Sequence, residues 1–212
     1  MTNSALHLVC GEALNSAAAA CVLVHGRGRS PELMQEHVLS QIQPRGVHFI
    51  LPRAPSGSWY DALAVEPLTA ATRSQLSSSL HLLRQVVKKL PPHLPLIIAG
   101  FSQGACLSLE YAMAYGPWRG GLVSFTGCRV GIANDDRAKS DLAGLPVYLS
   151  GSDADPWIPV SAFAEAAAEL ATSRARLRCD VIPGRAHEVS PIEAAMLEAA
   201  LGQLAAGEEI IW

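Results

Sequence analysis

Short apolar runs alternate with longer segments of helical periodicity along the whole chain, and this alternation constrains the fold more than any other feature. Residues 20–24, 47–51, 96–99, 121–125, 147–149 and 177–182 read as strands. Helices are predicted over 31 to about 42, 69–90, 105–115, 160–170 and 191–206. The segment 69–90 carries apolar residues at 76, 80, 83, 87 and 90, one stripe at helical spacing, and Pro91 and Pro92 end it. Ser30 followed by Pro31 is an N-cap with proline at the first helical position. Such alternation specifies a mostly parallel sheet covered by helices on both faces. In such sheets the ligand site forms beyond the carboxyl ends of the strands.

No repeat, low-complexity linker or compositional shift divides the 212 residues, so 1–212 is expected to form a single domain with its own core. A net charge of −3 gives no electrostatic reason for nucleic acid or an anionic membrane as partner. The longest apolar stretch, 17–24, is too short to cross a bilayer. The start, Met1 to His7, lacks the basic residues and apolar block of a secretory signal. Cysteines at 10, 21, 106, 128 and 179 form an odd set without CxxC spacing, as expected of buried free thiols rather than a disulfide frame. These features together predict a cytoplasmic, reduced protein.

Gly100-Phe-Ser-Gln-Gly104 joins the strand 96–99 to the next helix. A serine on such a sharp turn takes a strained backbone and projects its hydroxyl into the cleft. Strand and helix backbones nearly touch there, so the residues two before and two after must be very small. Gly100 and Gly104 meet that need, which makes Ser102 the candidate nucleophile. The helix start also aims N–H groups and a positive dipole end at developing negative charge.

The strand 20–24 ends in His25-Gly-Arg-Gly28. In this architecture one oxyanion N–H comes from the loop after that strand and one from the residue after the nucleophile. The backbone amides of Arg27 and Gln103 are the expected donors. A dinucleotide-binding reading of Gly26-x-Gly28 fails because Pro31 stands where a third glycine is needed. His25 is expected to hydrogen-bond within the loop and hold the amides in place.

A serine hydroxyl needs an imidazole to take its proton, and on such a turn the partners follow in the order Ser, Asp or Glu, His. Of seven histidines, only His187 lies after Ser102, in a turn just past the strand 177–182. Two aspartates follow the strand 147–149. Asp155 precedes Pro156, which holds an extended backbone, and is favoured as the acid. Asp153 suits a turn or cap, with a share in the acid role left open. Trp59, Tyr60 and Trp157 lie in loops near the expected cleft, where they either grip substrate or pack the loops. There is no HExxH and no other ligand spacing for a metal.

With these segments in order, the chain resembles the phospholipase/carboxylesterase family of α/β hydrolases, which includes the acyl-protein thioesterases. The likeness lies in LVHGRG (23–28), PRAPSGSWY (52–60), GFSQGACLSLEYA (100–112), DPWIP (155–159) and PGRAHEV (183–189). It implies an α/β-hydrolase fold without a cap domain, a triad of Ser102, Asp155 and His187, and no cofactor. It also implies small-molecule carboxylic esters or thioesters as substrate, and family members often form homodimers. Ser150-Gly151 and Arg29 replace the HG pair and the Asp common near the acyl-protein thioesterases, so the chain looks closer to the bacterial esterase branch. A thioesterase or lysophospholipase is the alternative, separated by the apolar groove that the loops 52–68 and 129–142 provide. A non-catalytic binding module on the same fold is the alternative from another class.

Overall fold

The computed structural model describes residues 6–212. The stretch 1–5, most of the segment read for a secretory signal, lies outside the described residues. Seven strands form one sheet: β1 (His7–Gly11), β2 (Ala19–Val24), β3 (Val47–Pro52), β4 (Leu96–Phe101), β5 (Gly120–Phe125), β6 (Pro146–Gly151) and β7 (Arg176–Val181). Their order is β1-β3-β2-β4-β5-β6-β7. Every pairing is parallel except β1 with β3, where His7 stands opposite Pro52 and Gly11 opposite His48. This is the mostly parallel sheet that the alternation predicts.

Strand β1 is the element the sequence reading missed. It is short, half-exposed and bonded along one edge only, so it lacks the apolar run that marks a buried parallel strand. By contrast β2, β3 and β4 are buried at every residue, as strands covered on both faces must be.

Five helices cover the sheet: α1 (Pro31–His37), α2 (Ala70–Val87), α3 (Gln103–Tyr115), α4 (Val160–Thr172) and α5 (Pro191–Ala205). One core packs α2, α3 and α4 on one face of the sheet, with Leu83, Leu107, Leu109, Leu122 and Leu149 among its fully buried members. The other packs α1 and α5 on the opposite face, around Leu23, Ile97, Phe125 and Leu201. Fully burying such a side chain contributes about 1.5–3 kcal/mol, so these two layers carry the fold.

The helix predicted from 31 to about 42 stops at His37, and a 3-10 turn, Leu39–Gln41, follows. The break lets both Val38 and Ile42 turn into the core. Thr69 caps α2, as its hydroxyl accepts from the Thr72 amide, and the α2 face turned inward is Leu76, Ser79, Leu83 and Val86. Ser190 and Glu193 close a capping box at α5.

Parallel register carries the strand ends to one edge. Val24 pairs with Gly100, Gly100 with Ser124, Ser124 with Leu149 and Leu149 with Cys179. The loops bearing Arg27, Ser102, Asp155 and His187 all leave from there. All five cysteines are free; Cys21, Cys106 and Cys128 are buried, whereas Cys179 is exposed. Among the described residues no helix is long and apolar enough to cross a membrane.

Candidate active site

Ser102 sits at φ 54°, ψ −121°, a left-handed conformation that a side chain rarely takes. Its amide donates to the Phe125 carbonyl at 2.9 Å, which anchors the strained turn to β5. The flanking glycines are required by contact: a Cβ on Gly104 would lie 2.2 Å from the Val24 carbonyl oxygen, and one on Gly100 would lie 2.4 Å from that of Gly104. Strand β2, strand β4 and helix α3 therefore meet backbone to backbone at this turn.

The turn brings Ser102 Oγ to 2.8 Å from His187 Nε2, and His187 Nδ1 stands 2.7 Å from Asp155 Oδ2. The other oxygen, Asp155 Oδ1, accepts the amides of Trp157 at 2.8 Å and Ile158 at 2.9 Å. Burial pushes the Asp155 carboxyl towards its neutral form. The hydrogen bonds from His187 and from the Ile158 and Trp157 amides outweigh that and hold its pKa below the usual carboxylate value. An ionised carboxylate can only accept, so Nδ1 carries the imidazole proton and Nε2 offers its lone pair to the serine hydroxyl.

Asp153 is turned elsewhere, its Oδ1 accepting the Gly184 amide at 2.6 Å. Together with Ser152 Oγ donating to the Arg185 carbonyl, it ties the loop after β6 to the loop that carries His187.

Among the described residues, neither the Arg27 nor the Gln103 amide is taken by a backbone hydrogen bond. Gln103 N–H opens α3, where the helix leaves its first amides unpaired. Both residues line a cavity of about 250 Å³ that reaches Ser102 and His187.

The loop that presents Arg27 is held from beneath. His25, fully buried, has Nδ1 at 2.7 Å from the Gly26 carbonyl, while its Nε2 accepts the Ala54 amide at 3.1 Å. That pairing requires the neutral imidazole, and burial moves its pKa in the same direction, down. The Gly28 amide donates to Gly57 at 2.7 Å, and the Arg27 guanidinium donates to the carbonyls of Asp61 and Ala62.

The three aromatic candidates separate. Trp157 is 58% exposed and lines the cavity beside Ile158. Tyr60 lines it from a buried position, with Leu63 and Ala64 as further apolar wall. Trp59 is buried and does not line it. Its indole N–H donates to the His25 carbonyl at 2.7 Å, and its own amide donates to Gln103 Oε1 at 2.9 Å. The Gln103 side chain, which also donates to the Tyr60 carbonyl at 2.6 Å, thus fastens this loop to α3. Of the two groove-forming loops expected, 52–68 contributes to this cavity. The segment 129–142 does not: its Arg129 is buried in ion pairs with Glu110 and Glu169.

Arg185 and Glu193 escaped the sequence reading. The Arg185 guanidinium donates to the carbonyls of Ala186 and Glu188, on either side of His187, and to Thr126 Oγ1 at 2.6 Å. Its Nε lies 3.4 Å from the fully buried Glu193 carboxylate, which also accepts from Ser150 and Ser190. The Ser190-x-x-Glu193 spacing is legible as a capping box. Arg185 has no such signal, because Thr126 lies 59 residues away. Among the described residues no group of three or more His, Cys, Asp or Glu side chains could hold a metal ion.

The model of the phospholipase/carboxylesterase family matches residues 7–203. The chain belongs to that family. A crystal structure of a phospholipase/carboxylesterase from Dyadobacter fermentans superposes with a TM-score of 0.83 at 29% identity, covering 92% of this chain and 95% of that one. Acyl-protein thioesterase 1 of Saccharomyces cerevisiae is 29% identical over 133 residues, 53% of this chain. That match spans 57% of the thioesterase, little more than half its length. Zea mays acyl-protein thioesterase 2 is 20% identical, with a TM-score of 0.74 over 92% of this chain and 99% of that one, and shares the fold. The phospholipase/carboxylesterase family and these folds establish an α/β hydrolase.

Proposed function

We propose that this member of the phospholipase/carboxylesterase family is a serine esterase that works through an acyl-enzyme, with Ser102 as nucleophile, His187 as general base and Asp155 orienting the imidazole. The observation that carries the reading is the unbroken relay from Asp155 Oδ2 through His187 to Ser102 Oγ, with the serine on a strained strand-to-helix turn.

In the first half-reaction His187 Nε2 takes the Ser102 hydroxyl proton as Oγ adds to the ester carbonyl. The oxyanion is met by the amides of Arg27 and Gln103; one such donor is worth about 2.7–4 kcal/mol of barrier. Asp155 stabilises the imidazolium that forms. Collapse breaks the ester bond, and His187 gives its proton to the departing alkoxide. Water then attacks the acyl-serine, His187 takes a proton from it, and the second collapse returns that proton to Oγ and frees the acid. Trp157 and Tyr60, with Leu63 and Ile158, offer the acyl group an apolar wall.

A thioester would pass through the same acyl-enzyme, and the stretch shared with the yeast acyl-protein thioesterase supports that second reading. The test compares hydrolysis of p-nitrophenyl esters and matching acyl thioesters across acyl lengths, in wild type and Ser102→Ala. The expected result is turnover that falls by about 10⁶ with the serine, leaving the residue that binding and the oxyanion site supply. Turnover that survives the substitution undiminished would overturn the mechanism. A fluorophosphonate that fails to label Ser102 in an inactive protein would leave the binding module.

A further inference from the structure

A second recess, also about 250 Å³, adjoins the cavity at Ser102. It shares Arg29, Phe101 and His187 with the cavity at Ser102, yet Ser102 does not line it. Leu33, Met34 and Val38 from α1 and the residue after it, with Val189 from the loop behind His187, give it an apolar floor. Arg29, His37, Gln41 and Glu188 give it a polar rim.

The two halves of an ester part company at the carbonyl carbon. The acyl half remains on Ser102 beneath the oxyanion amides, and so keeps to the side where Gly26, Arg27 and Gln103 line the cavity. The leaving oxygen must instead come within reach of His187 Nε2, because that atom returns the proton to it. A recess that borders His187 next to the Ser102 cavity is therefore the candidate place for the leaving group.

Its chemistry sets what fits. A cavity of about 150 Å³ lined by Leu, Ile and Phe takes up benzene, so this one has room for one ring or two fused ones. The floor favours apolar surface, which gains by leaving water, whereas the rim leaves polar substituents at the far edge hydrated. Resting on the esterase reading above, we propose that the recess between α1 and the His187 loop is a leaving-group site for an aryl or compact branched alcohol or thiol.

The test has two readouts. Isothermal titration of 2-naphthol, the product such an ester would release, is carried out on the Ser102→Ala protein with and without Leu33→Trp. The second readout is kcat/KM for 2-naphthyl acetate and for ethyl acetate in otherwise unchanged protein, with and without the same substitution. Leu33 is half-buried and faces the recess, so a tryptophan there fills it. Naphthol affinity is expected to fall at least tenfold, and the naphthyl ester to lose at least tenfold more kcat/KM than the ethyl ester. Gln41→Trp, at an exposed rim position, supplies the same comparison if Leu33→Trp does not fold. Equal losses for the two esters, or naphthol binding that neither substitution weakens, would overturn the site. Ester turnover that does not depend on Ser102 would sink the esterase reading instead, and the naphthol titration still decides whether the recess binds.

Discussion

Asp155 and Asp153 stand two positions apart and do different work. The Asp155 side chain is shut off from solvent, and each of its oxygens is spent, one on His187 and one on two amides. Replacing it by asparagine keeps the size and removes the charge that, in the proposed mechanism, stabilises the imidazolium. Asp155→Asn is expected to lower kcat by about 10⁴, whereas Asp153→Asn, which weakens one bond to the Gly184 amide, should cost less than tenfold. The two rate constants measured side by side check this, and the reverse order would move the acid to Asp153. Gly104 belongs at the same scale. A methyl group there would press on the Val24 carbonyl at 2.2 Å, and backbone cannot step aside as a side chain does. Gly104→Ala should lower stability by about 1–3 kcal/mol or more, read as a lower urea midpoint with unchanged slope.

At the level of the element, the loop 52–69 underlies the loop that presents Arg27. Trp59 fixes the His25 carbonyl, Gly57 receives the Gly28 amide, and Ala54 donates to the buried imidazole. Trp59→Phe keeps the ring and deletes one hydrogen bond, a loss of about 1 kcal/mol of stability. Because that bond supports the loop of the proposed oxyanion donor rather than substrate, kcat should fall while KM stays within twofold; a large rise in KM alone would return Trp59 to the substrate. The same element has a pH dependence of definite sign. Burial holds the His25 pKa below the ordinary histidine value. Between that depressed value and about 6.5 the unfolded chain binds a proton that the native chain does not. Stability should therefore be fully present above about pH 6.5 and decline as pH falls below it. Urea unfolding across that range should show a steeper acid-side loss in wild type than in His25→Asn.

On the scale of the whole molecule, the site is an assembly of strand ends that only parallel packing brings to one edge. Arg185 is the tie between them: it reaches the carbonyls around His187, the hydroxyl of Thr126 after β5 and the carboxylate of Glu193 in α5. Removing it leaves Glu193 as a buried charge with no cation beside it, which costs about 3–5 kcal/mol. Arg185→Met should lower stability by that order and kcat with it, as the His187 loop loses its clamp. Arg185→Lys should restore part of the stability by neutralising Glu193, but less of the rate, since an ammonium cannot span all four partners. Denaturant melts and kcat on the pair of variants separate charge from geometry.

Much of this was already written along the chain. Local rules determined the helix caps at Ser30 and Ser190, the glycines that let β2, β4 and α3 touch, and the order in which Ser102, Asp155 and His187 arrive. Each rests on spacing within a few residues or on the direction of a parallel crossover. Tertiary structure alone decided the rest. It turned Trp59 inward as a support, closed the share in the acid role that the sequence left open to Asp153 by turning that side chain to the Gly184 amide, and added β1 to an edge too exposed to show a pattern. It also placed an apolar recess between α1 and the His187 loop, more than 140 residues apart in sequence. Those outcomes depend on which side chains meet across the sheet, and that is set by packing and register, which no local window of sequence contains.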